Sequence, residues 1–395
     1  MSDQKKSINI LGATGSIGCS AVDVILANPD HFDVHAVSAN ENAQKLAETA
    51  IALKARSAVI VRDDKRAELE ALLSSTDIEV FSGVDGLNAV SKRPVDVTLA
   101  AIVGMAGLES IMNAIRSSKA VAIANKEPLV SAGALVMTEA RAHNTTILPV
   151  DSEHNAIFQV FDFERKASIN KIIITASGGP FRTWSLEEMG AATVEQALAH
   201  PNWSMGDKIS IDSATMVNKA LEVIEAHYLF DLPPEQIEVL IHPQSIVHSM
   251  VEYCDGSVLS QMGASDMRTP IANVLAWPER LETPGQRLNL AATPDLSFDA
   301  PDLERFPALA MAYDCIKRGG YACAAFNAAN EVAVDAFLNN KIGFLGILDC
   351  ISYALEFAEG AELPTVKDVQ NYDQDIRSAV LDYINNEQKT KAKLV

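Results

Sequence analysis

The feature that most constrains this fold lies in the first 150 residues. Short, almost wholly apolar runs alternate there with stretches of helical periodicity. Ile8-Asn9-Ile10-Leu11 reads as a strand and 17–27 as a helix. Val34-His35-Ala36-Val37 reads as a second strand, with a helix near 42–55. Ala58-Val59-Ile60-Val61, Val97-Thr98-Leu99-Ala100-Ala101-Ile102 and Ala120-Val121-Ala122-Ile123-Ala124 follow, and Thr146-Ile147-Leu148-Pro149-Val150 closes the region. Strands this apolar have no face to give to water. Alternation with helices therefore predicts a parallel sheet covered on both sides.

The rest of the chain changes character. Within 151–277, four strand-like runs surround a predicted helix at about 213–229, an α+β pattern. The stretch 178–210 is rich in Gly, Trp, Met and Pro and has little periodicity after a short acidic helix, as a functional lid would. Five prolines between 278 and 307 block helix interiors and predict a crossing linker. Beyond it, 307–317, 323–339, 345–358 and 373–387 have helical periodicity. The expected fold is α/β: residues 1–150 a Rossmann-like parallel sheet, 151–277 an α+β catalytic domain with a flap at 178–210, 278–307 a linker, and 308–395 a helical domain.

Charge narrows the partners. A formal net charge of -20 with no Lys/Arg block repels nucleic acid phosphates and anionic membranes. An anionic substrate must then find its cations concentrated in one site. Five scattered cysteines without Cys-x-x-Cys spacing predict reduced thiols rather than a disulfide frame or a zinc knuckle. Residues 1–6 have neither the apolar run of a signal peptide nor a transit-peptide pattern, so a cytoplasmic protein is expected. The sequons at Asn144 and Asn202-Trp203-Ser204 are then chance matches.

Several segments carry chemistry. Gly12-Ala13-Thr14-Gly15-Ser16-Ile17-Gly18 sits between the first strand and the first helix. Glycines there let backbone approach a pyrophosphate at a helix N-terminus, although an ordinary tight turn also uses them. Ala39-Asn40-Glu41-Asn42 follows the second strand, where an acid favours the free ribose hydroxyl of NAD and a base the phosphate of NADP. Glu41 by itself argues for NAD unless it points away. Asn125-Lys126-Glu127 follows the 120–124 strand, at the end of a parallel sheet where ligands bind.

Asp151-Ser152-Glu153-His154 brings two carboxylates close together, which repel unless a cation joins them. Asp151 acting as a helix cap accounts for only one of the two. His154 reads as a structural hydrogen bonder. Ser210 to Glu222 places Asn218 and Glu222 at i,i+4, and Lys219 and Glu222 at i,i+3, on one helical face. A hydroxyl, an amide and an ammonium near a helix start suit a phosphate. The bland alternative is a surface ion pair worth a few tenths of a kcal/mol. Asp212 or Ser213 is expected to cap that helix. Ser177 offers a hydroxyl within Ala176-Ser177-Gly178-Gly179-Pro180. Composition makes Trp203 and Met205 either core plugs or a lid, and favours plugs.

Taken together the segments resemble the 1-deoxy-D-xylulose 5-phosphate reductoisomerase family. The strings that carry the resemblance are Leu-Gly-Ala-Thr-Gly-Ser-Ile-Gly at 11–18, Ala-Asn-Lys-Glu at 124–127 and Val-Asp-Ser-Glu-His-Asn-Ala-Ile-Phe-Gln at 150–159. Thr-Ala-Ser-Gly-Gly-Pro-Phe-Arg at 175–182, the stretch 200–222, Ile-His-Pro-Gln-Ser-Ile-Val-His-Ser-Met-Val-Glu at 241–252 and Asn-Ala-Ala-Asn-Glu-Val-Ala-Val at 327–334 complete it.

The resemblance implies an NADPH-dependent oxidoreductase with a divalent metal (Mg2+, Mn2+ or Co2+) that converts 1-deoxy-D-xylulose 5-phosphate to 2-C-methyl-D-erythritol 4-phosphate. The implied chemistry is a retro-aldol/aldol rearrangement followed by hydride transfer. It implies Asp151, Glu153 and Glu222 as metal ligands, with Lys126 catalytic beside them. Ser152, Ser177, His200, Ser213, Asn218 and Lys219 would bind substrate, and Trp203 and Met205 would become flap residues. Gly12, Thr14, Gly15, Ser16, Ile17, Asn42, Asn125, Glu127 and Gly206 would contact NADPH, and a homodimer is implied. Two positions depart from the family: Asn40-Glu41, where Gly then Lys or Arg is common, and Ser265, where proline is. A dehydrogenase lacking the isomerase step and a non-catalytic nucleotide-binding protein are the rival classes.

Overall fold

The computed structural model describes residues 5–394 except 202, 204, 294 and 361, with backbone only for 389–394. The sequon residues Asn202 and Ser204 thus lie outside the described residues. The chain divides into two compact units. One comprises Met1–Pro128, Val136–Phe158 and Asp266–Arg287, and the other Leu129–Leu135, Gln159–Ser265 and Leu288–Val395. These units cut the chain differently from the four expected segments, since 266–287 groups with the first sheet.

The first unit is built on seven strands: β1 Lys6–Leu11, β2 Phe32–Ala39, β3 Ser57–Ile60, β4 Glu79–Ser82, β5 Val95–Ala100, β6 Ser118–Ile123 and β7 Thr146–Pro149. They lie in the order β4-β3-β2-β1-β5-β6-β7, every pair parallel. Successive side chains leave opposite faces of a strand. Ile8, Ile10, Val97 and Leu99 accordingly join one core with Ala58 and Ile60. Leu11 and Val59 join Leu87 and Val90 on the other side. Each fully buried isoleucine contributes roughly 1.5–3 kcal/mol.

Strand β4 is the one that apolar runs do not reveal. Only Val80 and Phe81 are apolar, because β4 is an edge strand with one exposed residue and three half-buried ones. The order runs outward from β1 in both directions, through β2 on one side and β5 on the other. Connections reverse there, which opens a crevice beyond the strand ends. The helix Arg268–Ala276 packs on the helix Ser16–Ala27. Lys6 Nζ holds it by donating to the carbonyls of Ala276 and Trp277, at 3.0 and 2.6 Å.

The second unit carries β8 Ile169–Ala176, β9 Ile237–Ile241, β10 Val247–Tyr253 and β11 Val258–Met262, in the order β11-β10-β8-β9. β8 and β9 are parallel, so a crossover is required, and the helix Val217–Phe230 supplies it. β10 is antiparallel to both neighbours. The helix expected at 213–229 is in fact two, Asp207–Ala214 and Val217–Phe230. Met216 at φ 60° breaks the run between them. A periodic window does not register one left-handed residue.

Four helices follow: Ala308–Arg318, Gly320–Leu338, Gly346–Glu356 and Val366–Leu394. Gly320–Leu338 is buried on nearly every side because alanine dominates it. The later part of the proline-rich stretch is tied down. Asp299 and Ile241 exchange both backbone hydrogen bonds, at 2.8 and 2.9 Å, on the outer edge of β9. Edge backbone groups need partners, and this pairing satisfies them. Among the described residues no helix is long and apolar enough to cross a membrane, and all five cysteines are free.

Candidate active site

In the first unit the glycine-rich loop turns from β1 into the helix Ser16–Ala27. Gly12 has φ 92°, and a Cβ there would lie 2.5 Å from the Ala101 carbonyl oxygen. A Cβ on Gly18 would lie 2.3 Å from that of Gly12. Neither position tolerates a side chain, so the loop is drawn tightly onto the sheet. Gly15 is the helix N-cap and no side chain caps the first turn. Its backbone N–H groups are therefore available to an anion, and Thr14, Ser16 and Ile17 border the same turn. Asn42 caps the helix Ala43–Ala52, its side-chain oxygen accepting from Lys45 N at 3.0 Å.

At the end of β6, Asn125 Nδ2 donates to the Ile102 carbonyl, and Glu127 is buried at the first position of the helix Glu127–His143. Lys126 Nζ donates to Asp151 Oδ2 at 2.7 Å across the ends of β6 and β7. Burial pushes the Asp151 carboxyl pKa up. The Lys126 ammonium and His154 outweigh that and hold it well below the usual carboxylate range. Ser152 N donates to Asp151 Oδ1 at 3.0 Å, and Ser152 Oγ to Glu153 Oε2 at 2.5 Å. Asp151 and Glu153 offer carboxylate oxygens within 4.8 Å of each other.

A helix begins at Ser152, so the two acids converge across a helix start rather than along a strand. His154 is fully buried and lies 3.7 Å from Asp151 through Nδ1.

In the second unit the loop after β8 takes Gly178 to φ 84° and Gly179 to φ 66°. A Cβ on Gly179 would stand 2.5 Å from the Ser213 carbonyl oxygen. The absence of a side chain is what lets the Ser177 loop seat against Ser213. Ser177 Oγ lies 3.1 Å from His200 Nε2 and accepts from Gly179 N at 3.2 Å. His200 Nδ1 accepts from Trp203 N at 3.0 Å. A neutral ring that accepts through Nδ1 carries its proton on Nε2, the nitrogen next to Ser177.

On the helix Val217–Phe230, Asn218 Nδ2 and Lys219 Nζ both donate to Glu222, at 2.5 Å each. Glu222 and Lys219 are almost completely buried. The surface ion-pair alternative therefore fails, since a carboxylate and an ammonium removed from water together need a structural or chemical reason. Trp203 and Met205 are only half-buried, not core plugs. The Trp203 ring lies 6.4 Å from that of His248. Gly206 is the N-cap of Asp207–Ala214, and a Cβ there would meet nothing within 4 Å, so packing does not demand a glycine.

The expected cap role of Asp212 or Ser213 is also corrected. Asp212 lies inside the helix Asp207–Ala214, buried, accepting from Asn330 Nδ2 and Lys208 Nζ at 2.8 Å each. It is bonded to a helix 118 residues away, and no spacing in the sequence signals that pairing. Asp212→Ala removes the acceptor from a buried amide beside Ser213. Stability is expected to fall by about 2–3 kcal/mol, read as a lowered melting temperature in thermal denaturation. His242 and His248, both buried, also escaped assignment, although the 241–252 string contains them.

Family models for three segments match the chain. Residues 8–133 match 1-deoxy-D-xylulose 5-phosphate reductoisomerase, residues 147–230 its C-terminal domain, and residues 262–379 the DXP reductoisomerase C-terminal domain. A 1-deoxy-D-xylulose 5-phosphate reductoisomerase of Zymomonas mobilis is 51% identical over 374 residues, 95% of this chain and 96% of the relative. One from Rhodospirillum centenum is 51% identical, covering 95% and 93%. Among solved structures, the Zymomonas mobilis enzyme in complex with NADPH superposes with a TM-score of 0.93 at 49% identity, covering 96% of this chain and 99% of that one. A DOX-P reductoisomerase in complex with NADPH, fosmidomycin and magnesium gives 0.91 at 42% identity, covering 96% and 98%.

Proposed function

The chain belongs to the 1-deoxy-D-xylulose 5-phosphate reductoisomerase family, and from that premise we propose how its own residues convert 1-deoxy-D-xylulose 5-phosphate to 2-C-methyl-D-erythritol 4-phosphate. It is an NADPH-dependent oxidoreductase that uses a divalent metal in non-mevalonate isoprenoid synthesis. Asp151, Glu153 and Glu222 hold the cation. The donor set fits it, because hard oxygens suit Mg2+ and Mn2+, and the adjacent acids Asp151 and Glu153 repel without one. When bound, the cation polarises the substrate carbonyl and a neighbouring hydroxyl.

Lys126 supplies an ammonium at the sheet end, preset by Asp151, to donate to a substrate oxygen. Ser152 orients a substrate hydroxyl. Ser177, Ser213, Asn218 and Lys219, with His200 orienting Ser177, grip the phosphate, whose binding energy lies far from the reacting bonds. That energy closes the flap 178–210 over the site, and Trp203 and Met205 exclude water. Gly12, Thr14, Gly15, Ser16, Ile17, Asn42, Asn125, Glu127 and Gly206 bind NADPH, which supplies the hydride.

In this proposal residues 1–150 serve as the cofactor domain, 151–277 as the catalytic domain, 278–307 as a linker and 308–395 as a helical support. The protein works in the cytoplasm as a homodimer. The edge strand β11 supports that state, because Val258 and Leu259 are exposed on an unpaired sheet edge that a second copy can cover.

The observation that carries the proposal is the Lys126–Asp151 pair, set beside Glu153 where the parallel sheet ends. The test follows NADPH oxidation with 1-deoxy-D-xylulose 5-phosphate. A chelator is expected to lower turnover about a hundredfold or more, and added Mg2+ or Mn2+ to restore it. Turnover that survives the chelator counts against the metal assignment.

A further inference from the structure

A charged cluster beyond β2 and β3 takes no part in the chemistry above. Backbone pairing continues past the ends of both strands: Val61 N donates to Ala39 O and Arg62 N to Asn40 O, at 2.9 Å each. Arg62 is thereby set directly beside Asn40-Glu41. Its guanidinium makes one 3.2 Å bond to Glu41 Oε2. It also grips Asp64 with two, at 2.9 and 2.7 Å. At the same end of the sheet, Lys45 Nζ donates to the Thr14 carbonyl of the glycine-rich loop at 2.9 Å.

The adenosine ribose of a dinucleotide falls at the end of the second strand of such a sheet. An acid there takes the free 2′-hydroxyl of NAD, whereas an arginine takes the 2′-phosphate of NADP. This chain has both. After β2 it has Glu41, and an unpaired carboxylate there would repel a phosphate dianion. Glu41 is not unpaired, because it leans on Arg62.

The two contacts of Arg62 differ in kind. The fork onto Asp64 is bidentate and fixes the plane of the guanidinium. The contact to Glu41 is single and longer, so it is the one that yields to a stronger anion.

We propose that Arg62, aligned by Asp64 and by the Asn40 carbonyl, receives the 2′-phosphate of NADPH, with Glu41 as its displaceable counter-ion. Arg62, just beyond β3, thus supplies the base that Glu41 after β2 does not. Lys45 holds the glycine-rich loop at the same end and adds a second positive charge. The proposal rests on the NADPH-dependent reading above and adds the residue that sets cofactor choice.

The test is equilibrium binding to the full chain, without metal or sugar phosphate, by quenching of intrinsic fluorescence with NADPH and separately with NADH. Arg62→Gln is expected to weaken NADPH about tenfold or more and NADH less than about twofold. Arg62→Lys should recover part of the loss. Glu41→Gln should tighten NADPH about two- to fivefold by removing the competitor. The salt dependence of NADPH binding should be shallower in Arg62→Gln.

Arg62 is exposed and the variants keep its backbone bond, so the fold survives the change. If Arg62→Gln shifts both cofactors by one factor, or neither, the assignment is overturned while the reductoisomerase reading stands. Failure of the unaltered protein to bind NADPH at all overturns both.

Discussion

Glu222→Gln lowers turnover by about a thousandfold or more and leaves NADPH affinity within about twofold. The amide is isosteric, but Asn218 Nδ2 and Lys219 Nζ donate to different oxygens of Glu222, so the single amide oxygen keeps only one of the two bonds. What disappears is a formal negative charge that the cation needs. The two measurements separate a ligand from a scaffold residue. Steady-state assays over a metal titration should show a raised metal requirement and a collapsed kcat, while cofactor quenching barely moves. Wild-type activity in Glu222→Gln would remove it from the metal site.

Lys126→Met gives the second large effect, a loss of kcat/KM of about 10²–10³-fold. The ammonium is mostly buried and lies 2.7 Å from Asp151. Methionine keeps much of the side-chain volume but neither donates nor carries charge. Two consequences separate. The substrate oxygen loses a preset donor, which lowers kcat. The Asp151 carboxyl, now held low by Lys126 against its own burial, moves back up, which weakens metal binding at acid pH. Lys126→Arg restores charge without the same reach and is expected to recover only part of the loss. If Lys126→Met retains full kcat at saturating metal, Lys126 is a structural counter-ion and not a catalytic group.

Local signals made a large part of the fold legible. Six of the seven parallel strands stand out as apolar runs, because a strand buried on both faces has nowhere to put polar residues. The exception, β4, is an edge strand and has fewer apolar positions to show. The glycine-rich loop was visible because only glycine allows the approach of Gly12 and Gly18 to backbone atoms. The shared face of Asn218, Lys219 and Glu222 followed from helical spacing alone, and all three do meet. Periodicity failed at Met216, where one residue in the left-handed region splits a continuous pattern. It failed again at Asp212, whose acid reads as a cap until Asn330 is found against it.

The sequence by itself determined the parallel sheet, the family, the glycine-rich loop and the residue types of the candidate site. Those are written in steric rules and periods that act within one turn or one strand. Tertiary structure alone decided that Asp212 is buried against Asn330, that Lys126 neutralises Asp151, that Asp299 closes the edge of β9, and that Arg62 rather than a neighbour faces Glu41. Those choices are between partners from about 20 to more than 100 positions apart in the chain. A charge or amide withdrawn from water takes whichever complementary group the packing brings within reach, and no local window of sequence contains that group.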